Sequence, residues 1–244
     1  DNKFYFPSKV LQPIAWKNVE ELKFPVENDT ITALLLKPNQ KAKATIFYFY
    51  GAGGNMTTYL PLLTSLLKDQ FQIVMIDFRG YGKSTGKPLH KNIAADGEKI
   101  FIHLSNRADL KATKKIIYGA SIGPQIAAHL AKNPQDEISG LVLEGAMISF
   151  GHIAAVYAPE YKTYLENSFV SPYSAIEDIK LITKIPKLII HSKDDKDVPY
   201  AQGVSLFEMA PQPKEFIEFS GEHLYGLQYE GAKIIASLNK MIGK

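Results

Sequence analysis

The chain of 244 residues contains no cysteine. This absence excludes disulfide bonds, thiolate metal ligands and a cysteine nucleophile. Long apolar runs are absent as well, and none approaches the ~18 residues that a membrane-spanning helix needs. The formal charge is only +3 and the lysines are scattered, so the chain lacks the broad basic stripe typical of nucleic-acid binding. We therefore expect no nucleic-acid partner.

The composition is that of a globular domain. Hydrophobic residues make up 45% of the chain and charged residues 22%, which is enough apolar surface for the core of a single domain. The first residue is Asp1 and not methionine, so a leader or anchor that was removed stays an open possibility. The sequence also leaves open the compartment, cytoplasmic or exported, the oligomeric state, and peripheral contact with a membrane.

Short apolar runs alternate with helical segments over most of the chain. The runs are KATIFYFY, FQIVMIDF, KKIIYGA, ISGLVLEGA, IPKLIIHS and KEFIEFS, and a hairpin of VEELKFPVEN and TITALLLKPN precedes them. Segments such as TTYLPLLTSLLKD and HKNIAADGEKIFIHLSNR have helical spacing. Such alternation is typical of parallel strands with helices on both faces. It predicts an α/β fold, a doubly wound and mostly parallel sheet of about eight strands, in one domain over residues 1–244.

Residues 146–184 interrupt this alternation with an aromatic segment that has no obvious buried strand. We expect helices and loops that form a short lid across the carboxyl ends of the strands, where ligands bind in open parallel sheets. Ordinary packing helices without ligand contact are the alternative. Within this lid region His152 and Tyr157 are candidate substrate contacts, and Tyr50, beside a glycine-rich turn, is a third.

Ser121 lies in the frame G-A-S-I-G, between a strand-like run and a helical segment. A serine on a sharp bend of this kind presents its hydroxyl above the edge of the sheet. The bend needs residues without bulk because the backbone passes close to its neighbours, and Gly119 and Gly123 meet this need. The pattern makes Ser121 the candidate nucleophile.

A serine nucleophile needs a base and a group that orients the base. Among six histidines, His223 is the candidate base because it follows the last strand in a glycine-flanked loop, at the same sheet edge as Ser121. The acid is expected in KDDKDVP, where Asp194, Asp195 and Asp197 are all available. Turn formation and helix capping are the alternative roles for these aspartates.

The order serine, acid, histidine is that of the α/β-hydrolases. The segments FYFYGAGGN, IDFRGYGKSTGKP, YGASIG, HSKDDKDVPY and SGEHLYG occur in the order found in that superfamily, across almost the whole chain. The chain most resembles its small-lid abhydrolase-domain serine hydrolases, which include esterases, thioesterases and lysophospholipase-like enzymes.

This resemblance implies further assignments. It selects Asp195 as the acid, with Asp194 in reserve, and it makes the backbone N–H groups of Ala52 and Ile122 the oxyanion hole. Relatives usually carry histidine where this chain has Tyr50, which puts only supporting hydrogen bonds in doubt. Asp77 and Arg79 are expected to hold a loop in place, and Glu144 to support the site.

The expected function is hydrolysis of carboxylic esters or thioesters through an acyl-enzyme, with a small-molecule or lipid-like substrate that carries an apolar acyl group. No cofactor or metal is expected. A peptidase of the same fold and a non-catalytic binding protein are the alternatives. A metallohydrolase built on Asp194, Asp195 and Asp197 would leave Ser121 and His223 without a role.

Overall fold

A computed structural model of the protein describes residues 3–133 and 137–244. Asp1 and Asn2 of the expected single domain therefore lie outside the described residues, as do residues 134–136. The strands are β1 (Phe6–Pro7), β2 (Val19–Val26), β3 (Asp29–Leu36), β4 (Ala44–Phe49), β5 (Gly53–Gly54), β6 (Phe71–Ile76), β7 (Lys114–Ala120), β8 (Gly140–Glu144), β9 (Lys187–Ser192) and β10 (Lys214–Phe219).

Helices connect these strands. They are α1 (Met56–Tyr59), α2 (Thr64–Lys68), α3 (His90–Ser105), α4 (Ala108–Lys111), α5 (Gly123–Ala131), α6 (Phe150–Tyr157), α7 (Lys162–Ser168), α8 (Ala175–Asp178), α9 (Tyr200–Met209), α10 (Gly226–Tyr229) and α11 (Gly231–Met241). Short 3₁₀ segments span Leu60–Leu63, Pro159–Tyr161 and Ile179–Leu181. Within residues 3–133 and 137–244, we find no helix with the length and apolar character needed to cross a membrane.

The main sheet has eight strands in the order β10-β9-β8-β7-β4-β6-β3-β2. The hairpin of β2 and β3 is antiparallel and β3 also pairs with β6 in the antiparallel sense, whereas the remaining pairs are parallel. All residues of β4, β6, β8 and β9 are buried, because helices cover both faces of the sheet. The predicted mostly parallel sheet of about eight strands is confirmed.

Two local predictions were wrong. The run 57–69 was predicted as one helix, but it consists of α1, a 3₁₀ turn and α2, because Pro61 at the start of that turn has no N–H to continue the helix. A second sheet was also missed: β1 pairs in parallel with β5, which places the N-terminal segment on the glycine-rich turn after β4. Two-residue strands carry no periodic pattern that a sequence could display.

Parallel pairing brings the loops after β4, β7, β9 and β10 to one edge of the sheet. These loops contain Ala52, Ser121, Asp195 and His223 respectively. The topology therefore places all the predicted catalytic elements on the same side of the molecule, which is where ligands bind in open α/β sheets.

Arg79 holds the loop after β6 in place through a buried ion-pair network. Its guanidinium donates to both carboxylate oxygens of Asp96 on α3, at 2.7 and 2.9 Å, and to Glu27 and Asp29 of the hairpin turn at 3.0 and 3.1 Å. The side chains of Arg79 and Asp96 are only 7% and 5% exposed. One cation therefore links the hairpin, the loop and α3, in agreement with the structural role expected from the sequence.

We expect Arg79→Met to lower the free energy of unfolding by about 3–5 kcal/mol, because it leaves the Asp96 carboxylate buried without its partner. Lys83→Met is the control: its ion pair with Glu21 is solvent-exposed, and such pairs contribute about 0–1 kcal/mol. Urea unfolding of both variants measures the difference. Equal, small losses in the two variants would show that the network contributes little.

Candidate active site

Ser121 occupies the bend between β7 and α5. Its backbone has φ 61°, in the left-handed region that residues other than glycine rarely adopt. The N–H of Ser121 donates to the carbonyl of Glu144 at 2.9 Å, which fixes the bend to the end of β8. A Cβ at Gly123 would lie 1.9 Å from the carbonyl oxygen of Phe49, and one at Gly119 would lie 2.5 Å from Pro124 N. The backbone geometry thus requires both glycines that flank the serine.

His223 and Asp195 form a direct pair. The Nδ1 atom of His223 donates to Asp195 Oδ2 at 2.6 Å, and the Asp195 side chain is fully buried. The other oxygen of Asp195 accepts the backbone N–H groups of Asp197 and Val198 at 2.9 and 2.8 Å. Asp194, the reserve acid, is exposed and its side chain has no hydrogen bond to His223 within the described residues. The geometry favours Asp195 as the residue that orients His223.

A second histidine, His191 at the end of β9, lies against the same carboxylate. Its Nε2 atom is 3.4 Å from Asp195 Oδ2 and donates to the carbonyl of Val198 at 3.0 Å. Burial alone would raise the pKa of Asp195, but the hydrogen bonds from His191 and His223 and the positive charge of His223 hold that pKa well below its usual range. The sequence analysis selects only His223 among the histidines; the position of His191 four residues before Asp195 was the available signal.

The Nε2 atom of His223 is buried and has no hydrogen-bond partner among the residues that the structure describes. Ser121 and His223 both line one cavity. Hydrogen bonds between a catalytic base and its nucleophile are often long in enzymes without substrate and shorten in the complex. The free face of His223 is therefore available to a proton from the cavity.

Ala52 and Ile122, whose N–H groups are the expected oxyanion donors, also line this cavity. In the described parts of the chain neither donates to another group, while the surrounding N–H groups of Asn55, Met56 and Thr57 all have acceptors. Ile122 directly precedes α5, so its amide lies at the positive end of that helix. The pair can receive negative charge that develops beside Ser121.

The cavity has a volume of about 1000 Å³ and a mostly apolar wall. Part of the wall comes from Phe4 and Phe6 of the N-terminal segment, and another part from α6, α7 and the turn between them. These contribute Ile153, Tyr157, Tyr161, Tyr164 and Leu165. Among the described lining residues, Lys3 and Asp197 carry formal charges. The segment 146–184 thus reaches the cavity, and none of its residues, all of which are described, lies in a strand.

The three candidate substrate contacts have different positions. Tyr157 lines the cavity, is 68% exposed, and its hydroxyl donates to the carbonyl of Asp197 at 2.9 Å. Tyr50 does not line it: its ring is fully buried and its hydroxyl donates to Asp77 at 2.9 Å. His152 does not line it either, because its Nδ1 pairs with Ser149 Oγ, the residue that caps α6. Of the three candidates, only Tyr157 lines the cavity as the structure describes it.

Glu144, the last residue of β8, has the supporting position that the resemblance implies. One of its oxygens accepts the hydroxyl of Tyr118 at 2.5 Å and the other accepts the N–H of Gly226, three residues beyond His223, at 2.8 Å. Burial raises the pKa of this carboxyl, and the two hydrogen bonds oppose that rise. Since the carbonyl of Glu144 holds Ser121, this residue ties the serine bend to the histidine loop.

The side chains of Asp195, Asp197 and His223 offer ligand atoms within 4.8 Å of one another, a spacing that can hold a metal ion. The His223 atom closest to Asp195 is the Nδ1 that the carboxylate already binds. A cation between them would replace this hydrogen bond and would turn His223 from a proton acceptor into a ligand. The histidine–carboxylate pair and the metal site are therefore alternative uses of the same atoms.

Comparison with known proteins assigns the family. The family described as "Serine aminopeptidase, S33" matches residues 40–173, more than half of the chain. The human alpha/beta hydrolase domain-containing protein 17B is 30% identical over 219 residues, which cover 86% of this chain and 72% of that protein. Protein YfhR of Escherichia coli K12 is 29% identical over 231 residues, with 91% and 80% covered.

Solved structures agree in fold. The Pyrococcus furiosus esterase Pf2001 superposes with a TM-score of 0.76 at 17% identity and covers 97% of this chain and 98% of its own. A thermostable carboxyl esterase from Bacillus coagulans gives 0.68 at 16% identity, with 93% and 99% covered. The chain belongs to the α/β-hydrolase superfamily, and it is a hydrolase of that fold. The resemblance drawn from its motifs is confirmed.

Asp195→Asn is expected to destabilise the protein at neutral pH. The folded-state pKa of Asp195 lies below the ordinary value of about 3.9, so its charge contributes stability above that pH, and the contribution is lost as the pH falls toward the folded-state pKa. The difference in Tm between wild type and Asp195→Asn should shrink below about pH 4. Thermal unfolding between neutral and acid pH measures it, and Asp194→Asn should show no such pH-dependent difference.

The backbone conformation of Ser121 predicts the relative stabilities of its glycine and alanine variants. The left-handed conformation costs a residue with a Cβ atom roughly 1–2 kcal/mol. Glycine avoids this cost but loses more conformational entropy on folding. The free energy of unfolding of Ser121→Gly should therefore be up to about 1 kcal/mol higher than that of Ser121→Ala. At Ser205 inside α9 the order should reverse, with glycine worse by about 1 kcal/mol. Urea unfolding of the four variants tests this; the same order at both positions would contradict it.

Proposed function

We propose that the protein is a serine hydrolase that cleaves carboxylic esters or thioesters through an acyl-enzyme, with Ser121 as nucleophile, His223 as general base and Asp195 as its orienting acid. The single observation that carries the proposal is His223: its Nδ1 binds the buried Asp195 carboxylate, its Nε2 has no partner among the described residues, and the residue lines the cavity that Ser121 also lines.

In the first half-reaction the Ser121 oxygen bonds to the carbonyl carbon of the substrate and its proton passes to His223 Nε2. The carbonyl oxygen becomes negative and accepts hydrogen bonds from the N–H groups of Ala52 and Ile122. When the tetrahedral intermediate collapses, the bond to the leaving alcohol or thiol breaks, and that group takes the proton from His223.

Water completes the cycle. It gives a proton to His223 Nε2 as its oxygen bonds to the acyl carbon, and the same proton returns to Ser121 when the acid product leaves. Asp195 stays ionised throughout: its lowered pKa keeps the negative charge next to the imidazolium that forms in both steps. Ala52 and Ile122 serve both tetrahedral intermediates.

The wall of the cavity supports an apolar acyl group. Aromatic and aliphatic side chains from the N-terminal segment and from α6 and α7 dominate it, and such surfaces bind hydrocarbon by removing it from water. The esterases among the solved structures of this fold support the same reaction class. The acyl chain of an ester or thioester matches this apolar wall better than a sugar or a charged peptide does.

One observation favours a second function, an aminopeptidase. The matching family carries that description, and the Asp197 carboxylate at the cavity wall is a possible partner for a free α-amine. Asp197→Asn separates the two functions: it should reduce turnover of aminoacyl amides if Asp197 binds the amine, and leave turnover of simple esters intact. A non-catalytic binding protein would predict a disrupted triad, whereas His223 here pairs with Asp195 and lines one cavity together with Ser121.

Ser121→Ala should abolish hydrolysis of p-nitrophenyl esters and labelling by a fluorophosphonate probe. Loss of a nucleophile that acts together with its base costs on the order of 10⁶ in turnover. A panel of esters from acetate to palmitate measures activity and acyl preference together. Ser205→Ala, a serine on α9, is the matched control and should keep full activity.

The competing outcomes are distinct. Wild-type protein that hydrolyses no ester or thioester and takes no probe would contradict the proposal. Activity that is lost on chelation and restored by a divalent metal would assign Asp195, Asp197 and His223 to a metal site instead. Asp195→Asn should be severe and Asp194→Asn mild; the reverse would transfer the role of acid to Asp194.

A further inference from the structure

Two carbonyl groups of the glycine-rich turn after β4 accept hydrogen bonds from tyrosine hydroxyls. Tyr81 donates to the carbonyl of Ala52 at 2.5 Å, and Tyr59 donates to the carbonyl of Gly53 at 3.0 Å. The turn (residues 51–55) contains Ala52, whose N–H is one of the two proposed oxyanion donors. Two consecutive peptide groups next to that donor are thus held by side chains from outside the turn.

Tyr81 makes a second contact through the same oxygen. Its hydroxyl accepts the N–H of Phe6 at 3.1 Å, and that N–H also donates to the carbonyl of Ala52 at 2.9 Å. Tyr81, the turn and the N-terminal strand therefore share one hydrogen-bond cluster, next to the pairing of β1 with β5. Tyr81 comes from the loop after β6, so three separate segments meet at one carbonyl oxygen.

The rings of both tyrosines are fixed independently of their hydroxyls. Tyr59 stacks on Tyr50 at 5.0 Å between ring centroids, and Tyr81 packs edge-on against Phe78 at 5.5 Å. Tyr81 is fully buried. Burial raises the pKa of Tyr59 to about 12 and that of Tyr81 further, so both hydroxyls keep their protons at neutral pH. Replacement by phenylalanine removes a donor and leaves the ring in place.

The direction of an N–H group depends on the dihedral angles on both sides of it. A carbonyl that is held rigidly fixes the peptide plane to which it belongs and the Cα of its own residue. The preceding amide is bonded to that Cα, so its movement is restricted as well. Gly53 and Gly54 would otherwise leave the turn free to move, because glycine restricts the backbone least. An oxyanion donor is effective only when it is aimed before the reaction.

We propose that Tyr81, with Tyr59, is a positioning residue that holds the turn 51–55 so that the N–H of Ala52 is directed at the oxyanion. The inference rests on the proposed serine hydrolase function for its kinetic consequence. It adds two residues to the machinery that neither act on the substrate as acid, base or nucleophile nor donate to the oxyanion themselves.

The kinetic test uses Tyr81→Phe with a p-nitrophenyl ester and with butylboronic acid, whose boron bonds to the serine oxygen and mimics the tetrahedral intermediate. We expect kcat to fall by on the order of tenfold, a fraction of the 10² to 10³ lost when a donor is removed, with KM within about twofold. The inhibition constant for the boronic acid should rise in parallel with the loss in kcat/KM. Tyr59→Phe should show the same trend, because it removes the donor to the carbonyl of Gly53 and keeps the ring.

Tyr173→Phe is the matched control. Its hydroxyl also donates to a backbone carbonyl, that of His90, at 2.8 Å, and its ring packs against His129 and Phe150. It should lose a similar amount of stability and keep wild-type kcat and boronic acid affinity. If Tyr173→Phe loses activity as much as Tyr81→Phe, the effect is general loosening of the protein and the proposal is wrong.

A second readout needs no turnover. Hydrogen–deuterium exchange of the peptide that covers residues 50–56 should be faster in Tyr81→Phe than in wild type and unchanged in Tyr173→Phe. Unchanged exchange in Tyr81→Phe would overturn the proposal even if the protein proved inactive on every ester. Failure of the hydrolase function therefore shows as an inactive wild type, and failure of the positioning role shows as an unaltered turn.

Discussion

Gly123 packs so closely against the end of β4 that the first turn of α5 almost touches the carbonyl oxygen of Phe49. The rest of the site depends on this approach. It brings the serine bend beside the glycine-rich turn, where a Cβ at Gly51 would lie 3.1 Å from the Cβ of Ser121. The proposed nucleophile follows β7 and the proposed donor Ala52 follows β4. Only a backbone without a side chain at this point lets them lie within one small volume.

Three buried carboxyls lie at the ends of neighbouring parts of the sheet, and their surroundings give them different tasks. Burial raises the pKa of Asp77 and Glu144, and hydrogen bonds from tyrosines and backbone N–H groups offset only part of that rise. Asp195 is also buried, but two histidines lie against it and lower its pKa. Asp77 and Glu144 join loops to one another, whereas Asp195 holds a full negative charge next to an imidazole.

The sequence predicts the sheet and the core of the site for physical reasons. Buried parallel strands are continuous apolar runs, and the Ser121 bend needs its glycines, so both leave a pattern in one dimension. The position of Tyr50 leaves no such pattern, because the glycine-rich turn next to it does not indicate the direction of its side chain. In the structure its hydroxyl donates to Asp77. The contacts of Tyr81 and His191 depend on which segments meet in space, here the loop after β6 with the N-terminal strand and β9 with the acid loop. The hydrophobic periodicity of a sequence carries no information about such contacts between distant segments.

The residues of the cavity wall and the groups proposed for the chemistry lie on different parts of the chain, and this separation affects how such a protein can evolve. The groups proposed for the chemistry stand on loops anchored to the sheet, whereas much of the apolar wall comes from the N-terminal segment and from residues 146–184. Substitutions in the wall can alter which molecules are accepted without disturbing proton transfer. Substitutions in the N-terminal segment and in residues 146–184 can therefore change the substrate preference during evolution. Selection on the loops that carry the proposed chemical groups keeps the reaction itself unchanged.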